Sequence, residues 1–121
     1  MNFDPIANII DEPLAVTPSV LSALAEFRKA SKLDDLPGTD TTAEKARLTE
    51  LVHNLTDSLV AGVANHPSKL WVMQQFQAAL IRLEDRDTEA RDHFGIELER
   101  LMDILKIESS NGLLSFYLGG I

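Results

Sequence analysis

Residues 88–106, TEARDHFGIELERLMDILK, carry the pattern that decides the fold. Phe94, Leu98, Leu101, Met102 and Leu105 recur at spacings of three and four, which at about 100° per residue lines them along one side of an α-helix. That stripe is a core face. Ile96 and Ile107, with Ile104 near their edge, project to the opposite side among Asp92, Glu99, Arg100 and Asp103. Water would be expected there, so an apolar row at that place predicts a covering partner, and Ile96, Arg100, Ile104 and Ile107 form the candidate interface.

Helix punctuation continues on both sides of this segment. Asp4-Pro5 reads as an N-cap followed by a first helical proline and opens a short helix to about Glu12, because aspartate accepts from free amides and proline lacks an N–H that would be orphaned there. Thr17-Pro18 repeats the device ahead of Val20, Leu24 and Phe27, for a second helix to about Lys32. Leu33 to Thr41 gathers Asp, Pro and Gly into the longest loop. Thr41 with Glu44 fits a capping box, and the third helix runs to about Asn65 with Leu48, Leu51, Val52, Leu55 and Leu59 inward. His66-Pro67 ends it, since the residue before proline is pushed out of the α region.

Pro67 or Ser68 starts a fourth helix to about Leu83, whose apolar residues spread around most of its circumference and predict the most buried helix. A tight charged turn at Glu84 to Asp87 sets the fifth helix antiparallel to it. Two readings stay open for the tail: Ser109 to Gly112 caps a last helix from Leu113 to Leu118, or Asn111-Gly112 forms a hairpin turn. The helix is favoured because the flanks lack strand alternation. The expected fold is all-α, a single compact domain over 1–121 of five or six helices. In this bundle the fourth helix is central, with the second, third and fifth around it.

Composition narrows function by exclusion. A chain of 121 residues is the common size of one domain, and 45% hydrophobic with 25% charged residues is a folding composition. The net charge of −8 disfavours phosphate backbones and anionic membranes, so neither nucleic acid nor a membrane is expected as partner. The chain has no cysteine, which excludes disulfides, thiol catalysis and cysteine-ligated zinc. The first residues carry acids and no base, the wrong charge for a signal peptide, and a cytoplasmic location is expected.

Chemistry-bearing patterns lose to bland readings. Glu50-Leu51-Val52-His53 matches the Glu-x-x-His of di-metal bundles, yet Glu50 points almost opposite the apolar stripe and His53 about 140° from its centre. Glu89, His93 and Glu97 share one helix face, where carboxylates four residues from a histidine simply support the helix. Asp85, Asp87 and Glu89 open like a calcium loop, but Ala90 and Ile96 stand where its glycine and last glutamate belong. Ser109 and Ser110 read as cap residues, and Trp71 as a partly buried helix-end tryptophan. No catalytic residue, metal ligand or cofactor is expected.

The run Ile107-Glu108-Ser109-Ser110-Asn111-Gly112-Leu113-Leu114, with an aromatic shortly after, resembles the tail of an uncharacterised bacterial family, domain of unknown function 4844. The resemblance implies a bacterial, mainly helical domain and carries over neither site nor mechanism. The functional expectation is a small acidic non-catalytic interaction protein, such as an immunity protein, inhibitor or adaptor, bound to a protein partner or to copies of itself. The alternative is a small-molecule or metal-binding helical bundle, possibly an enzyme.

Overall fold

The computed structural model describes residues 4–30, 42–83 and 88–118. A 3-10 turn at Pro5–Asn8 precedes five helices: α1 Pro18–Lys29, α2 Thr42–Gly62, α3 Lys69–Ile81, α4 Thr88–Leu105 and α5 Leu113–Leu118. Among the described residues there is no strand, only one antiparallel bridge between Pro13 and Ser68. No described helix is long and apolar enough to cross a membrane. The loop at Leu33–Thr41, the charged turn at Glu84–Asp87 and the capping side chains of Thr41 and Glu44 lie outside what is described.

The expected caps that fall among the described residues form. Thr17 Oγ1 accepts from Val20 N at 3.2 Å with Pro18 in the first turn, and Ser68 Oγ accepts from Trp71 N at 3.1 Å. Each satisfies an amide that the helix itself leaves orphaned. Asp4 also caps, but its turn stops at Asn8 and residues 9–17 run on without helix. The tail resolves as a helix, with Ser110 Oγ accepting from Leu114 N at 3.2 Å.

Core composition follows the apolar spacing. Leu48, Val52, Leu55 and Leu59 of α2 meet Val20, Leu24 and Phe27 of α1 and Phe94, Leu98 and Leu101 of α4 in one buried cluster, with Leu51 at its edge. Thr56 lies fully buried in the α2 stripe, and its hydroxyl donates to Val52 O at 2.8 Å, so no polar atom is stranded there. The expected central helix requires correction. Helix α2 packs against α1, α3 and α4, whereas α3 packs mainly against α2, α5 and the 3-10 turn. The broad apolar surface of α3 is covered by one long helix, α2, and by two short pieces, rather than by three long helices.

The end of α4 shapes everything after it. Lys106 takes a left-handed backbone, φ 60°. Its N–H donates to Asp103 O at 3.2 Å, and Ile107 N donates to Met102 O at 2.9 Å. This pair of bonds is a Schellman closure, which folds the next residue back onto the last turn.

Candidate functional site

That closure decides the fate of the expected interface. Ile96 is 44% exposed, Arg100 is exposed, and Ile104 is half-buried against the core. Ile107 is a correction: it is only 5% exposed and belongs to the core cluster. A wheel extended through position 107 assumes continued helix, but α4 ends at Leu105 and the left-handed Lys106 turns Ile107 inward. Glu97, read from the sequence only as helix support beside His93, lies in the core. It is 2% exposed, and its Oε1 accepts from Arg100 Nη1 at 2.7 Å. A buried carboxylate needs a charge-assisted bond of this kind.

The reversal at 106–112 opens a groove of about 490 Å³ between the end of α4 and the start of α5. Glu99, Asp103 and Glu108 line it with Ser109, Ser110 and Ser115, over a floor that includes Met102, Ile107 and Leu114. Among the described residues no basic side chain lines this groove. Two features seat α5 beside it. A Cβ on Gly95 would stand 2.6 Å from Leu118 Cδ1, so the glycine leaves room for the Leu118 side chain against α4. Arg91 Nη1 also donates to Tyr117 O at 3.4 Å.

A second polar constellation joins residues 10–14 to the start of α3. Asp11 Oδ1 accepts from Leu70 N and from Ser68 Oγ, both at 2.9 Å. These bonds, that from the Leu70 amide foremost, hold the Asp11 carboxyl below the ordinary carboxylate range. Lys69 N donates to Glu12 O at 2.9 Å, and Leu14 N donates to Pro67 O at 2.8 Å. The Lys69 side chain is buried, its Nζ 2.6 Å from Asn111 Oδ1 and 3.7 Å from Glu12 Oε2. Asn111 Oδ1 also accepts from Ile10 N at 3.0 Å. Asn111 has φ 52° and sits in the turn that lines the groove. Lys69 and Asn111 escaped the sequence reading, since a lysine at a helix start ordinarily points to water. The asparagine in a turn before glycine was the only signal.

The remaining candidates do not converge. Glu50 is exposed and His53 half-buried, both beside a groove between α1 and α2. Asp85, Asp87 and the Glu89 side chain lie outside the described residues. Among those described, no three His, Asp or Glu side chains are grouped to hold a metal ion. Trp71 is half-buried, stacked on His66 at 5.3 Å and seated against Gly62.

No curated protein and no solved structure matches this sequence. A family model does, over residues 15–121, so the match reaches far beyond the tail and takes in α1 through α5. The chain belongs to the family described as Domain of unknown function (DUF4844).

Proposed function

We propose that this chain is a small acidic, non-catalytic interaction module that takes a basic segment of a partner protein along the groove between α4 and α5. The observation that carries the reading is the lining: among the described residues, three carboxylates, three hydroxyls and no cation over an apolar floor. Exposed Ile96 and Arg100, on the helix that supplies Glu99 and Asp103, extend the contact along α4. Like charges in one concave surface raise the local concentration of cations and speed their encounter, while the apolar floor gives a bound segment something to bury. An inhibitor or adaptor role fits such a surface. The site residues carried by this reading are Ile96, Arg100 and Ile104, with Ile107 acting from beneath.

Titration with a basic nonapeptide of alternating arginine and glycine, followed by amide chemical shifts, tests this. Saturable shifts at Asp103, Ser109 and Ser115 are expected. Reversing two charges, Glu99→Lys with Asp103→Lys, should weaken binding by at least about tenfold, or about 1.4 kcal/mol. Shifts unchanged by that reversal, or no saturation, would refute the groove. For the contact along α4, Ile96→Asp should disrupt association while circular dichroism stays that of the wild type, because an aspartate there is hydrated when free and desolvated when covered. Unchanged association would remove position 96. A small-molecule reading rests instead on the groove of about 650 Å³ between α1 and α2, bordered by Arg28, Thr49, Glu50 and His53.

A further inference from the structure

We propose that the face formed by the start of α3 and the 109–112 turn is a binding site for an extended acidic peptide, filled here by the chain's own residues 10–14 and open to the same segment of a second copy. The segment is held as a bound peptide is held. Two main-chain bonds, Lys69 N to Glu12 O and Leu14 N to Pro67 O, run as in strand addition to an edge. Side-chain recognition favours carboxylates: Asp11 accepts from the Leu70 amide and the Ser68 hydroxyl, and Glu12 reaches towards the Lys69 ammonium.

The receptor side is built into the domain. Lys69 keeps only 4% of its side chain exposed, and a buried ammonium is tolerated because Asn111 Oδ1 and the Glu12 carboxylate answer it. The occupant, by contrast, runs over the surface between anchored flanks, with Pro5 buried and Ile6, Ile9 and Leu14 packed against the core, so these would cross with it. Ile10, Asp11, Glu12 and Pro13 are all exposed, Ile10 by 67%. Polar bonds hold residues 10–13, Leu14 adds an apolar contact with the core, and another copy of the stretch can reproduce all of these. Ala15 to Thr17, outside any helix, link it to α1 and provide the joint about which it would cross to a neighbour. The family match begins at residue 15, so Lys69 and Asn111 fall inside it and residues 10–14 outside. Of all sequences, the one already fitted to the site is this chain's own, which is why a second copy is the occupant. In the closed monomer the tether gives the segment an effective concentration of about millimolar, so exchange in the wild type needs comparable protein concentrations.

The test uses the full chain with Asp11→Ala and Glu12→Ala, which disables the segment and leaves its site intact. Amides of Ile10 and Leu14 should exchange at least about tenfold faster than in wild type, with helical circular dichroism retained. A synthetic peptide of residues 4–17 should then bind saturably. Trp71, the single tryptophan, reads this out, since its N–H bonds the same Ser68 hydroxyl that donates to Asp11. The peptide lacking both acids should bind at least about tenfold more weakly. Mixing this variant with one carrying Ser68→Ala and Lys69→Met, which keeps its segment and loses the two side chains that recognise it, should give a heterodimer in the ultracentrifuge, with each alone monomeric. No saturable peptide binding, equal binding of the acid-free peptide, or unchanged amide exchange would overturn the site. Loss of fold in the double variant would show the segment to be integral to the domain and overturn it equally. Peptide binding without heterodimer would overturn the second copy as occupant.

Discussion

Replacing Ile107 by alanine separates a core anchor from a partner contact. The substitution removes three carbons from a side chain that is 5% exposed, worth about 2.4 kcal/mol at roughly 0.8 kcal/mol each. A cavity term would ordinarily raise this towards about 4 kcal/mol. Ile107 also borders the groove, where water can enter behind the missing atoms, so a loss of about 2–3 kcal/mol is expected. The Schellman closure loses its apolar contact in the same step. Against a total of about 5–15 kcal/mol this is a large fraction. Urea titration should show the midpoint falling by roughly 1 M or more at an unchanged slope. A stability within about 0.5 kcal/mol of wild type, together with loss of association, would refute the argument and return Ile107 to the surface.

Three further outcomes are expected. Phe76→Ala, at a fully buried position, should cost about 3–5 kcal/mol by the same titration; a loss under about 0.5 kcal/mol would mean that α3 is not packed as described. Lys106→Gly should stabilise by about 0.5–1 kcal/mol, since glycine adopts the left-handed backbone without the strain of a side chain; destabilisation would show that Lys106 makes a contact worth more than that strain. Asp11 has a lowered folded pKa, so its contribution is full above the ordinary carboxylate range, near pH 4, and is lost as pH falls through the lowered value. With Glu12 and Lys69 as its charged neighbours, attachment of residues 10–14, read by amide exchange, should weaken below about pH 4 in wild type and show no such Asp11 step in Asp11→Asn.

Periodicity and caps made much of the fold legible. Proline after Thr17 and serine before Lys69 fixed helix starts, because orphan amides are a local problem with a local answer. The helical tail was legible for the same reason. Packing order was not: the spread of apolar residues on α3 says how much surface is covered, not whether long helices or short segments cover it. Exposure along the second apolar row of α4 was half legible. Ile96 lies within regular helix, where a wheel holds, whereas Ile107 lies beyond a left-handed residue, where it does not. Lys69, Glu97 and Asn111 were beyond reach because their surroundings come from partners distant in sequence or from burial that no local pattern encodes.

The packing of α1 on α4 has a consequence for the order of assembly. Helices α1 with α2, α2 with α3, and α4 with α5 meet as sequence neighbours, while α1 meets α4 across the whole of α2 and α3. Closing a longer loop costs only about 0.6 kcal/mol for each doubling of length, but that entropy must be lost before any contact rewards it. The neighbouring pairs should therefore be formed in the folding transition state and the α1–α4 seam should close after it. Destabilising changes confined to that seam are expected to speed unfolding and leave the folding rate nearly unchanged.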